Sequence, residues 1–202
     1  MVDDNTPKER RNGVGDEIWV HKFDEESSQK FREQVVQKVR ETPNCSNPLI
    51  VYIDSYGGYA DSLIAMIETM DEVPNPIYTV CMGKAMSCGS ILLSHGDQRF
   101  CGQHSRVMVH EVSSFTCGDV HDMFNDAKES QRLNKYIMGL LARNCGIKGG
   151  YAALRKIIKE HEGRELWLSA SEAKKFGIID HIGTPVIETA LVYMTSTHKR
   201  SG

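Results

Sequence analysis

The sequence predicts an α/β fold with parallel strands and crossover helices. Short apolar runs alternate along the chain with stripes of apolar residues at helical spacing. The run Leu49-Ile50-Val51-Tyr52-Ile53 is continuous rather than alternating, and it is bounded by Pro48 and by Gly57-Gly58. Such a strand suits a parallel sheet covered on both faces. Regular exchange of strand and helix implies right-handed βαβ or ββα units.

The elements follow in order. Glu17-Ile18-Trp19-Val20 is a short opening strand. Asp24 caps the next helix, with Glu25 and Glu26 where the dipole favours anions, and Phe31, Val35, Val36 and Val39 form its apolar stripe before Pro43. After the 49–53 strand, Leu63, Ile64, Met66, Ile67 and Met70 form a second helical face, stopped by Val73-Pro74-Asn75-Pro76. Residues 77–82 are strand-like, and a short apolar helix begins near Ser87. Two strands, 98–101 and 106–109, come next. Asp119 caps a long helix running to about Asn144, with Met123, Phe124, Ala127, Ile137, Leu140 and Leu141 on its apolar side and Gly146 at its end. A further helix covers 151–161. Ser169-Ala170-Ser171-Glu172 is a capping box that opens a helix ending at Gly177, and a strand over 178–182 closes the fold.

Composition narrows the function. The 202 residues suit one domain over 17–194, with a flexible arm at 1–16 and a flexible tail at 195–202. A net charge of −3 offers no basic field for nucleic acid. No apolar run approaches the ~20 residues of a membrane span, and no signal-peptide pattern opens the chain, so a cytoplasmic protein with no membrane partner is expected. The cysteines at 45, 81, 88, 101, 117 and 145 show neither CxxC nor zinc spacing, which reads as reduced thiols and no metal site. No phosphate-loop motif occurs, so the chain itself is not expected to hydrolyse ATP, and no cofactor is expected.

The chemistry concentrates in Gly83-Lys84-Ala85-Met86-Ser87-Cys88-Gly89-Ser90. A serine in a small-residue turn before an apolar helix has its oxygen exposed, room for a carbonyl to approach, and unpaired helix N–H groups beside it. His110 follows the strand-like run 105–109, and Gly57-Gly58 ends the 49–53 strand with backbone amides free to face an oxyanion. Taken singly, these have ordinary readings: a helix N-cap, a core histidine and a tight turn. Together they read as a serine hydrolase. Ser90, one turn further in, reads as packing, and the remaining histidines lack ligand spacing.

These motifs, with Leu168-Ser169-Ala170-Ser171-Glu172-Ala173 and Gly177-Ile178-Ile179-Asp180, resemble the Clp protease proteolytic subunit (ClpP) family of serine peptidases over roughly residues 17–183. The resemblance implies a crotonase-like spiral of ββα units with a protruding handle helix. It also implies a homo-oligomer, a heptameric ring or double ring, enclosing sites that cleave unfolded polypeptides or peptides. By this resemblance Ser87 is the nucleophile and His110 its base. The backbone N–H groups of Gly58 and Cys88 form the oxyanion hole, and Gly57, Gly58, Val112, Ser113 and Ser114 bind substrate, with the 112–118 stretch receiving a peptide as an added β-strand. The family carries an aspartate two positions before the large apolar residue of the Leu-Ser-Ala motif, and counting back from Trp167 gives Glu165 as triad acid, one methylene longer. Glu162 takes the role if that loop is shifted. Asp180 matches a family position that is not catalytic.

Cys88 stands where the family usually has methionine, and the family's proline after the histidine segment is missing. The segment before Glu17 does not resemble the axial loops that touch an ATP-driven AAA+ unfoldase, so ATP enters only through a separate partner of that kind, if one docks. The expectation is a serine endopeptidase. The alternatives are a non-catalytic ring subunit and a specialised maturation peptidase, for example of a viral capsid, working without an unfoldase.

Overall fold

In a computed structural model of the chain, residues 17–42, 44–113, 118–161 and 165–185 are described. The arm at 1–16, the tail at 195–202, Ser114 and Glu162 therefore lie outside the described residues. The order of elements is β1 (Ile18–Val20), α1 (Glu25–Glu41), β2 (Leu49–Ser55), α2 (Ala60–Glu72), β3 (Ile77–Met86), α3 (Cys88–Ser94), β4 (Gln98–Cys101), β5 (Arg106–His110), α4 (Val120–Asn144), α5 (Gly150–Glu160), β6 (Glu165–Ser169), α6 (Ala170–Phe176) and β7 (His181–Ile182). The architecture is the expected α/β one. Strands β1-β2-β3-β4-β7 lie side by side in parallel, β5 runs parallel to β3, and β6 runs antiparallel to β5.

Local chemistry sets the helix starts. Asp24 accepts the Ser27 N–H at 2.8 Å, and Asp119 accepts the N–H groups of His121 and Asp122. Ser169 and Glu172 form both bonds of a capping box. The core lies between sheet and helices. Val51, Ile53, Val80, Leu63, Met66, Leu92, Leu93 and Leu141 are fully buried.

The long strand β3 organises everything near Ser87. Its first half, Tyr78–Cys81, pairs with β4, and its second half, Lys84–Met86, pairs with β5. Between them the β2 register slips: Ile53 faces Cys81, yet Ser55 faces Ala85. Gly83 absorbs the slip at φ +99, where a side chain would meet the Asp54 carboxylate at 3.0 Å. A bulge of this kind redirects a strand, and here it hands the end of β3 from one neighbour to another.

Three expectations are corrected. The expected closing strand over 178–182 shrinks to His181–Ile182, because Ile178 and Ile179 are buried in the turn after α6. The first half of α4 does not bury its apolar side: Val120 is 84% exposed, Phe124 57% and Met123 44%, and burial starts only at Ile137. Helix α4 packs against α3 and α5, and its buried residues all lie in its second half. Strand β6 was not foreseen at all, although its alternation of exposed and buried residues follows a period of two.

Asp180 has a structural task. Arg99 grips its carboxylate with Nε and Nη2 at 2.8 and 2.5 Å, and Nη1 of the same guanidinium donates to the carbonyls of Asn144 and Gly177. The Arg99 bond holds the Asp180 carboxyl below the usual carboxylate range. This clamp ties β4 to the ends of α4 and α6.

Candidate active site

Ser87 sits on the one-residue step between β3 and α3, with φ 53 and ψ −122. Among the described residues it is the only non-glycine residue at positive φ. A conformation of that kind costs about 1–3 kcal/mol and persists only where the surroundings impose it. They do so from both sides. Its N–H donates to the Met108 carbonyl at 2.9 Å, and its carbonyl accepts the Ser90 N–H at 3.0 Å and the Ser90 hydroxyl at 2.7 Å. Ser90, fully buried, thus braces the turn rather than merely filling space.

Gly57 and Gly58 close over this turn. A Cβ on Gly57 would lie 2.7 Å from the Ser87 Cβ and 3.2 Å from its Oγ, so only glycine lets the two backbones approach. A Cβ on Gly58 would strike the Phe23 carbonyl at 2.3 Å. The two amides differ. The Gly57 N–H is taken by Ser55 Oγ at 3.0 Å, and Ser55 in turn donates to the His21 carbonyl. The Tyr59 N–H goes to the Phe23 carbonyl at 2.7 Å. Between them, the Gly58 N–H has no partner among the described residues. The Gly57 amide is therefore spoken for, and Gly58 alone of the pair offers a donor.

Cys88 opens α3, in the first turn where N–H groups have no intrahelical acceptor. Its Sγ contacts the Gly58 carbonyl at 3.2 Å, a bond that fixes the Gly58 peptide against the helix start. Burial pushes the Cys88 thiol up, so it stays protonated and able to donate. The usual methionine of the resemblance has no such proton.

His110 ends β5, two residues beyond the Met108 that receives the Ser87 N–H. Met86 pairs with Met108 and neighbouring strands lie about 5 Å apart, so Ser87 and His110 both stand at the adjoining ends of β3 and β5. The ring makes no hydrogen bond among the described residues, to Ser87 or otherwise. Directly across from it on β6 stands Glu165. Directly opposed residues in antiparallel strands share a face, with Cβ atoms about 5 Å apart. The Glu165 carboxylate itself is held by Trp167, whose Nε1–H donates to Oε2 at 3.0 Å.

The segment after His110 is anchored to α4 and α5. The Val112 N–H donates to Asn134 Oδ1 at 2.9 Å, and Glu111 accepts from Asn134, Tyr151 and Arg155. Val112 therefore cannot offer its own N–H to an added strand. Ser113 is exposed and follows it outside any strand. Glu111 and Val112, together with Lys128, Gln131 and Arg132, border a cavity of about 790 Å³. Among the described residues no group of His, Cys, Asp and Glu is arranged to hold a metal, and no helix is long and apolar enough to cross a membrane.

The pattern of the family described as Clp protease matches residues 18–186 of this chain. One curated relative is the ATP-dependent Clp protease proteolytic subunit 1 of Salinibacter ruber, 37% identical over 144 residues. The match takes in 70% of this chain and 59% of the relative, so the chain spans about three fifths of that protein's length.

Proposed function

We propose, since this chain belongs to the Clp protease family, that it is a serine-type endopeptidase cleaving unfolded polypeptides or peptides by acyl-enzyme chemistry. The observation that carries the reading is the strained Ser87 turn, braced by Ser90 and Met108 and closed by Gly57. Strain of this kind is retained where a hydroxyl must be displayed.

In this reading Ser87 Oγ attacks the scissile carbonyl while His110 takes its proton. The new oxyanion receives the N–H groups of Gly58 and Cys88, and the loss of one such donor costs about 3–4 kcal/mol of transition-state stabilisation. His110 returns the proton to the departing amine, and water then releases the acyl group by the same steps in reverse. Glu165 orients the imidazole and stabilises its charged form. Gly57, Val112, Ser113 and Ser114 flank the peptide. Hydrogen bonds between nucleophile and base commonly close only around bound substrate, which is compatible with the unbonded His110 ring. The chemistry needs no cofactor.

The exposed Val120, Met123 and Phe124 on α4 support a homo-oligomer, a ring or double ring that covers them. Such an enclosure admits only unfolded chains, in the cytoplasm, and ATP enters only through a separate AAA+ unfoldase, if one docks.

The test is fluorophosphonate labelling of the assembled protein followed by peptide mapping. An adduct on Ser87, absent in Ser87→Ala, is the expected result, with a fall in peptide cleavage of about 10⁴–10⁶ in that variant. An assembled protein without an adduct on Ser87 overturns the reading. A second reading, a non-catalytic ring subunit, is favoured by the His110 ring, which among the described residues bonds neither Ser87 nor Glu165. Rings that cleave no short fluorogenic peptide, even as Glu165→Asp, would establish it.

A further inference from the structure

We infer that Trp167 is a positioning residue for catalysis, its indole N–H holding the Glu165 carboxylate by Oε2 so that Oε1 faces His110. The inference rests on the reading of Glu165 as the acid that orients His110, and it goes beyond that reading by assigning what orients the acid.

The argument begins with register. In the β5–β6 pair, His110 lies opposite Glu165 and Met108 opposite Trp167. All four side chains therefore share one face, the imidazole beside the carboxylate and the indole one pleat along. Leu166 and Leu168 occupy the other face and are buried, which locks the register, since a slip by one residue would bring them into solvent. On the His110 face Glu165 is exposed and Trp167 is 48% exposed. An exposed glutamate samples many rotamers, and freezing a side chain of its length costs up to about 2 kcal/mol. A glutamate must also settle a torsion that an aspartate lacks. Something has to select the one rotamer that points a carboxylate oxygen across the strands.

The indole N–H does this. It reaches Oε2 at 3.0 Å. A carboxylate has two oxygens and about four acceptor sites, so one oxygen on the indole leaves the other for an imidazole N–H. Phenylalanine would cover the same apolar surface but has no donor. Glu111, the other carboxylate adjoining His110, lies beyond the β5–β6 pairing and is drawn toward α4 and α5, where Asn134, Tyr151 and Arg155 donate to its Oε1. The longer acid and the indole donor are thus paired adaptations. The longer side chain reaches Trp167, and the Trp167 bond removes the freedom that the longer side chain brings.

The experiment is a double-mutant cycle on the assembled full-length chain. It compares the wild type, Trp167→Phe, Glu165→Asp and the double variant for cleavage of a short fluorogenic peptide. The rate of fluorophosphonate labelling at Ser87 is read in parallel. A hydrogen bond of ordinary strength predicts that Trp167→Phe lowers kcat and the labelling rate about three- to tenfold with KM unchanged. The shorter aspartate does not reach the indole, so Trp167→Phe should have no further effect on Glu165→Asp. An unchanged kcat in Trp167→Phe overturns the inference, and so does an equal loss in both backgrounds. Glu165→Gln separates the two levels. Loss of activity in Glu165→Gln with a silent Trp167→Phe removes only the role of Trp167. Full activity in Glu165→Gln removes Glu165 as the acid, and the role of Trp167 with it.

Discussion

The chain writes nearly the same tripeptide twice, Glu17-Ile18-Trp19 before and within β1 and Glu165-Leu166-Trp167 in β6. Both copies form the same local bond. Trp19 Nε1 donates to Glu17 at 2.9 Å, and Trp167 Nε1 donates to Glu165 at 3.0 Å. In both, the middle residue is buried to the same degree, Ile18 and Leu166 at 2% exposure. Two residues apart on an extended chain share a face, so the bond follows from local geometry. What differs is the third partner. Beside β1, His21 is four residues further along the same strand direction, about 13 Å from Glu17. Trp19 lies between them, stacked on His21 at 5.5 Å and on Tyr52 at 4.9 Å, and the His21 ring meets the Asp54 carbonyl. Beside β6, the histidine comes from another strand and stands directly across from the carboxylate. The comparison teaches that a Glu-x-Trp bond is cheap and local, and that cross-strand pairing alone sets its carboxylate opposite an imidazole.

The sharpest way to break that comparison is to remove both carboxylates in turn. Glu165→Gln should lower kcat/KM by about 10⁴, the scale of loss for a triad acid. Glu17→Gln should leave it within twofold, as measured by cleavage of a short peptide. Equal effects would mean that β6 has no special role.

Next come the buried residues between glutamate and tryptophan. Ile18→Ala and Leu166→Ala should each destabilise the fold by about 2–5 kcal/mol in denaturant unfolding. At a temperature where both remain folded, only Leu166→Ala should also depress kcat, because only there does strand register set a glutamate opposite His110.

A third carboxylate sharpens the contrast through pH. Arg99 holds the Asp180 carboxyl below its ordinary value. The stabilisation it contributes is complete above that ordinary value, near pH 4, and is lost as pH falls through the lower folded value. Asp180→Asn should remove about 1–3 kcal/mol at neutral pH and flatten the acid limb of the stability curve, without altering kcat where the protein is folded. The smallest effect belongs to Trp19→Phe, expected to change stability by under about 1 kcal/mol and peptide cleavage not at all.

Much of this was legible in the residues. The alternation of runs and stripes predicted the α/β class, and Asp24, Asp119 and the Ser169–Glu172 box marked helix starts that the structure contains. Ser87, His110 and Gly57-Gly58 were marked by turn chemistry and motif. Other features were not legible. The alternation in 165–169 was available but hidden by the capping box that overlaps it. The engagement of the Gly57 amide by Ser55, and of the Val112 amide by Asn134, depends on side chains from elsewhere folding onto those loops. The exposure of Met123 and Phe124 was also beyond reach, since an apolar stripe reports that a face is to be covered, not that the same chain covers it.

The amino-acid order by itself determined what acts over a few residues. It decided which segments form strands or helices, where caps lie, and that each Trp finds its Glu. These depend on dihedral preferences and side-chain reach, which are set by neighbours in the chain. The tertiary structure alone decided which strand faces which. It carried β3 past its bulge to β5, laid β6 against β5, and so set Glu165 rather than Glu17 opposite an imidazole. The reason is that register is chosen by burying Leu166 and Leu168 against distant partners, a sum over many contacts that no short stretch of sequence contains.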